Sequence, residues 1–249
     1  MEKITSRKNE YIRHVRLLVS DGEYRREKGE YVCDGIKTLR EAIAFGAEVT
    51  SVVWKNSAET VSGLSCPVQY CVPEELFDYV SPMKSSAGPL FTVKVPAGDG
   101  AMKLKNAVVL ENVQDPGNVG TVIRSANALG IDCVILVDNC ADLYNPKTVR
   151  ATMGAIFRQR VVHTDLAGLK AVLKENSLPL YGAALTQTAV DIRTVKLENA
   201  AVAIGSEGNG LSKQFLNACT GQIIIPMQPD SESFNAGVAA AIVMWKMAR

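Results

Sequence analysis

Apolar positions along the chain switch repeatedly between short β-branched runs and stretches of helical period, the pattern of an α/β protein. In the N-terminal part, runs at 31–33, 49–54, 68–72 and 91–95 predict strands, with helices at 35–45 (Ile36, Leu39, Ile43) and 73–80. Ahead of them, residues 3–16 predict a helix with Tyr11 and Val15, followed by Leu18, on one buried face. The stretch 96–100, Pro-Ala-Gly-Asp-Gly, contains nothing apolar larger than Ala and predicts a linker. Beyond it, strands are predicted at 107–110, 133–137, 180–185, 201–204 and 223–225, and helices at 119–129, 166–175, 211–218 and 235–247. These strands are almost continuously apolar, as parallel strands covered on both faces must be. The expected fold class is therefore α/β: a small α/β domain over 1–95, a linker over 96–102, and a doubly wound, mostly parallel sheet over 103–249.

Composition narrows the function classes. A chain of 249 residues with 47% hydrophobic content builds a sizeable core and is not a disordered tail. The apolar run at 236–245 is half of the roughly 20 residues a membrane span needs, and the charged start lacks a signal-peptide core, so a cytoplasmic protein is expected. The six cysteines are scattered and the chain has two histidines, which argues for reduced thiols and against a zinc set or any other metal site. Net charge is +1, so a nucleic-acid contact must come from local patches. One such patch lies within 3–16, where Lys3, Arg7, Lys8, Arg13 and Arg16 face a single acid, Glu10. A solvated helix face and a phosphate-binding face both account for it.

Three stretches carry candidate chemistry. Residues 110–130 read as strand end, turn (Asp115, Pro116, Gly117) and helix (Val122, Ile123, Ala126, Leu129) closed by Gly130. Such a junction aims unpaired N–H groups and a positive helix end at a ligand. Asn118 and Arg124 project from it, and a cation in the first turns of a helix gains nothing from the dipole, so Arg124 points to an external phosphate or carboxylate unless it is an ordinary surface residue. In the second stretch, Gly205, Gly208 and Gly210 permit close backbone approach, but their order is not the dinucleotide fingerprint, and Glu207 repels a pyrophosphate while tolerating a sulfonium or amine. In the third, Ser233 and Asn235 precede the last helix and are good capping types.

Taken together, Asn112, Asp115, Pro116, Asn118, Gly120, Arg124 and Gly130, then residues 203–212, then residues 224–242, resemble the three ordered motifs of the SpoU-type (TrmH-like) RNA 2′-O-ribose methyltransferases of the SPOUT superfamily. The resemblance implies a C-terminal trefoil knot, S-adenosylmethionine as cofactor, RNA as substrate and a homodimer. Ribosomal RNA is favoured, because residues 1–95 resemble the ribosomal-protein-like substrate-binding domain of that family; Asp34 stands where many members carry Glu. A tRNA enzyme, a ribosome-directed antibiotic-resistance enzyme and, from another class, a non-catalytic RNA-binding assembly protein are the alternatives. By resemblance, Arg124, Asn118, Ser233, Asn235 and Glu207 are the catalytic set, and Gly205, Ile225, Phe234, Met227 and Gly210 hold the cofactor. Phe234 replaces the usual Leu. Arg7, Lys8, Arg13 and, more weakly, Arg150 are expected to contact RNA. The family proposal of an arginine base sits badly with a group that stays protonated at neutral pH, so Arg124 is expected to grip the phosphate and polarise the hydroxyl.

Overall fold

The computed structural model describes residues 1–59, 61–98, 103–228 and 233–248. They form two compact units, Met1–Gly98 with Asp142–Phe157, and Asp99–Ala141 with Arg158–Arg249.

The first unit contains β1 (Glu2–Lys3), α1 (Glu10–Ser20), α2 (Gly22–Lys28), β2 (Glu30–Asp34), α3 (Ile36–Ala44), β3 (Val49–Lys55), β4 (Val68–Val72), α4 (Glu74–Val80) and β5 (Leu90–Lys94). Its sheet runs β1-β4-β3-β5-β2, with β5 antiparallel to both neighbours and the other pairs parallel. Ile12, Val15 and Leu18 of α1 join Leu76, Phe77 and Val80 of α4 in one apolar cluster, while Leu39 and Ala42 of α3 pack with Val52, Trp54 and Phe91 in another. The first helix starts later than its sequence pattern predicts. Asn9 takes the N–H groups of Tyr11 and Ile12 on its side chain and Ser6 takes that of Lys8, so the backbone ahead of Glu10 is turned out of the helix and Lys3, Arg7 and Lys8 precede it.

The second unit begins with β6 (Ala107–Glu111), α5 (Pro116–Leu129) and β7 (Cys133–Val137). The chain then makes the excursion Asp142–Phe157, carrying α6 (Pro146–Ala151), which belongs to the first unit. It returns as β8 (Val161–Thr164), α7 (Leu166–Glu175), β9 (Leu180–Ala183), β10 (Val190–Asp191), β11 (Ala201–Ile204), α8 (Lys213–Leu216), β12 (Gly221–Ile224) and α9 (Ala236–Met247). The seven strands lie in the order β10-β12-β9-β11-β6-β7-β8 and every pair is parallel. β6, β7 and β11 are buried along their whole length, as their apolar runs require, with Glu111 at the end of β6 the one charged residue among them.

Several local expectations need correction. α5 begins at Pro116, three residues before the predicted start, because Asp115 caps it and proline suits the first helical position. Gly120 is therefore inside the helix, and Arg124 stands in its middle, where the dipole argument has little force. β9 ends at Ala183, which frees Ala184, Leu185 and Thr186 for a loop. α8 is a single turn, and β8 and β10 have too few strongly apolar residues to be read from pattern.

The excursion differs from a division at one linker. Tyr144 stacks near Tyr31 at 4.6 Å between ring centroids, Val149 enters the cluster of Leu39 and Phe91, and Asp142 receives a two-nitrogen contact from Arg25. Of the expected linker, residues 99–102 lie outside the described residues, as do 231 and 232 ahead of α9. All six cysteines are free thiols. Burial pushes Cys133 up to about 12 and Cys219 up to about 11, which makes both inert as nucleophiles.

Candidate active site

Ligands of parallel α/β sheets settle beyond the carboxyl ends of the strands. Here the segments leaving β9, β11 and β12, with the turn before α9, enclose a cleft of about 450 Å³. Ala184, Leu185, Ile204, Leu211, Ile224, Ile225 and Phe234 give it apolar walls, and residues 205–210 form one side. That loop folds on itself: a Cβ at Gly205 would stand 2.0 Å from the carbonyl carbon of Gly210, and Ser206 and Gly210 are bridged. Glycine at 205 is thus demanded by close approach of two backbones, and at 210 by a φ of +64°.

The base of the loop is fixed from inside. Glu111, the last residue of β6 and 2% exposed, accepts from the backbone N of Ser212 at 2.8 Å and from its Oγ at 2.6 Å. Ser212 Oγ in turn accepts from Phe215 N as the cap of α8. The rim is fixed from outside by a chain of side-chain amides. Asn235 Nδ2 donates to Asn118 Oδ1 at 2.9 Å, and Asn118 Nδ2 donates to Oε1 of Glu207. Asn235 is itself held as the cap of α9 by accepting from the N–H groups of Gly237 and Val238. Three stretches separated by up to 117 positions in sequence therefore meet in one hydrogen-bonded line.

Gly205, Gly210, Ile225, Met227, Ser233, Phe234 and Glu207 all line the cleft. Arg124 does not. It lies six residues along α5 from Asn118, about 9 Å of helix rise, exposed and without an ion-pair or hydrogen-bond partner among the described residues. Ser233 is not the helix cap, a role Asn235 fills alone. Two features escaped the sequence reading. Ala184, Leu185 and Thr186 reach the cleft because β9 stops early, and Thr186 is tied by its hydroxyl to Gln222 Oε1 at 2.5 Å. Glu111 was signalled only by an acid closing an otherwise apolar strand.

The basic residues at 7, 8, 13 and 150 belong to the first unit. Arg7 and Arg16 place their guanidinium groups 4.6 and 4.4 Å from the ring centre of Tyr79, and Arg13 donates twice to the carbonyl of Lys8. Among the described residues none of Arg7, Lys8, Arg13 and Arg16 has an acidic partner. Arg150, exposed on the same unit, donates to Met83 Sδ, and its charge opposes the upward shift that burial gives Asp34. Asp34 Oδ1 accepts from Ser86 Oγ at 2.6 Å, while its Oδ2 is buried without a hydrogen bond. Among the described residues no group of three or more His, Cys, Asp or Glu side chains is placed to hold a metal, and no helix is long and apolar enough to cross a membrane.

This architecture has close counterparts. The chain is 30% identical, over 99% of its length and 99% of the relative's, to the 23S rRNA (guanosine(2553)-2′-O)-methyltransferase RlmP of Bacillus subtilis. In fold it matches the S-adenosylmethionine-bound rRNA methyltransferase of Sinorhizobium meliloti (TM-score 0.86, 21% identity, 98% of this chain and 96% of that one). It also matches the SpoU methyltransferase AviRb of Streptomyces viridochromogenes with S-adenosylmethionine (TM-score 0.87, 23% identity, 97% of each chain). Residues 105–245 fit the family model of the SpoU rRNA methylases and contain the cleft together with every residue of the Glu207–Asn118–Asn235 line, so the chain belongs to the SpoU rRNA methylase family.

Proposed function

We propose that the protein transfers a methyl group from S-adenosylmethionine to a ribose 2′-hydroxyl of ribosomal RNA. The observation that carries this reading is the amide line joining Asn118, Glu207 and Asn235 at the mouth of an apolar cleft of adenosine size. The cleft suits that cofactor. Its walls offer apolar surface for an adenine, its glycines expose backbone groups, and its charged lining group among the described residues is a carboxylate, which suits a cationic ligand and repels a dinucleotide phosphate. When bound, the cofactor supplies a methyl group on a positively charged sulfur.

The chain's own residues position the acceptor. Arg124 binds the phosphate beside the target ribose, its planar fork having no ion-pair or hydrogen-bond partner among the described residues, and so lines the hydroxyl up for an in-line displacement. Asn118 and Asn235 hold Glu207 and the start of α9 in place, and Ser233 faces the same cleft. The cations Arg7, Lys8, Arg13 and Arg16, which have no acidic partner among the described residues, form the RNA-backbone contact of the first unit, which acts as the substrate-binding domain, while Arg150 serves a structural role. Substrate of this kind places the enzyme in the cytoplasm.

We further propose a homodimer. Val238, Ala241, Ile242 and Trp245 fall at helical spacing on α9, with Val238 and Trp245 about half exposed at 47% and 49%, an apolar stripe that a second copy would cover. The C-terminal segment is taken to thread the trefoil knot of the superfamily.

The test is incubation of the purified protein with S-adenosylmethionine and unmodified bacterial 23S rRNA, followed by mapping of 2′-O-methyl groups. One new mark is expected, and Arg124→Ala should abolish it while calorimetric cofactor binding survives. No mark on rRNA, or near-normal turnover of Arg124→Ala, would refute the reaction or the assignment respectively.

A further inference from the structure

We infer that Glu207, rather than an arginine, accepts the proton of the ribose 2′-hydroxyl. The inference rests on the reading that the cleft holds the methyl donor. Among the described residues that line the cleft, Glu207 is the single titratable side chain; the polar remainder are hydroxyls (Thr186, Ser206, Ser233) and an amide (Asn209). Guanidinium groups stay protonated in proteins, so Arg124, outside the cleft, offers no vacancy for a proton.

The carboxylate is held as a proton acceptor must be. Oε1 is occupied by Asn118 Nδ2, and Oε2 carries no hydrogen bond among the described residues in a side chain open to solvent. Asn118 is oriented by Asn235, which is fixed as a helix cap, so two amides hold the orientation of this one carboxylate. A counter-ion for the cationic donor needs no such orientation, because Coulomb attraction between charges is not directional. Proton transfer does need it.

The step balances. The O–H proton passes to Oε2, the oxygen electron pair forms the bond to the methyl carbon, and the carbon–sulfur bond breaks with its pair going to sulfur. A carboxylate and a sulfonium thereby become a carboxylic acid and a thioether, so two opposite charges are neutralised together. The acid then releases its proton to water.

Glu207→Gln keeps an oxygen for Asn118 and removes the proton acceptor. Under saturating S-adenosylmethionine and RNA, its single-turnover methylation rate should fall by about 10²–10⁴-fold, the usual share of a general base. RNA affinity by gel shift should stay within about threefold, and saturation with S-adenosylmethionine, checked by calorimetry, keeps the lost attraction of the carboxylate for the cationic donor out of the measured rate. A rate within about threefold of wild type overturns the inference, and so does a variant whose loss lies wholly in cofactor affinity with the saturated rate intact, which would make Glu207 a counter-ion. If the wild-type protein itself transfers no methyl group, it is the functional reading that fails.

Discussion

The three glycines of the loop at 205–210 offer a graded test of how the cleft is built. At Gly205 an added Cβ would lie 2.0, 2.2 and 2.3 Å from Gly210 C, Gly210 O and Leu211 N, all backbone atoms. The far side of the loop has little freedom to retreat, because Ser212 is tied to the buried carboxylate of Glu111 by two hydrogen bonds. Relief must come from overpacking strain, about 1–3 kcal/mol, or from losing bonds to a charged group at about 1.5–3 kcal/mol each. A central figure of about 3 kcal/mol corresponds to roughly a hundredfold loss of cofactor affinity if the displaced loop no longer closes the cleft. At Gly210 the space is open but φ is +64°, so Gly210→Ala meets only the left-handed backbone penalty, about 1–2 kcal/mol or roughly tenfold. At Gly208 there is neither a neighbour within 4 Å nor a positive φ, and Gly208→Ala should bind within about threefold of wild type. Calorimetric titration of the three variants with S-adenosylmethionine, with a thermal melt of each, reads the series directly. Equal damage at 208 and 205, or wild-type affinity in Gly205→Ala, would refute the claim that close backbone approach shapes this site.

Two further outcomes concern the first unit. Arg25 is 4% exposed and pairs with Asp142 through Nε and Nη2 at 2.9 and 2.6 Å, so Asp142→Ala strands a buried guanidinium and should cost about 3–5 kcal/mol in chemical denaturation; a loss under about 1 kcal/mol would contradict the pairing. Burial raises the Glu30 carboxyl, but hydrogen bonds from His14, Thr50 and Thr92 outweigh it and leave the group below its usual value of 4.5. A depressed folded-state value means the stabilisation is present above that pH and is lost as pH falls through the lower folded-state value. Melting temperature should therefore fall more steeply below about pH 4.5 in wild type than in Glu30→Gln, and parallel profiles would dismiss the network as a source of acid lability.

How much was legible beforehand differs between the sheet and the site. Strands such as Cys133–Val137 and Ala201–Ile204, and the helix Leu166–Glu175, follow from apolar runs and helical period, because burial on both faces leaves no room for polar positions. The early start of α5 was also written locally, in Asp115 and Pro116, although hydrophobic period alone placed it three residues late. The strands β8 and β10 were not legible, since two to four residues at a sheet edge carry no period to detect, and α8 was read too long, as 211–218 where the helix is the single turn Lys213–Leu216.

By itself, the sequence determined the α/β class, the parallel sheet, the three motif stretches and the residue types able to serve a cationic cofactor and an RNA phosphate. Those depend on local pattern and on the chemistry of single side chains. Only the tertiary structure decided that Asn118, Glu207 and Asn235 form one line, that Glu111 locks the loop from beneath, and that Arg124 stands mid-helix outside the cleft. It alone assigned Asp142–Phe157 to the first unit. Such pairings join positions up to 117 residues apart, and a hydrogen bond or a buried ion pair is fixed by where strands stop and chains cross, which no periodicity records.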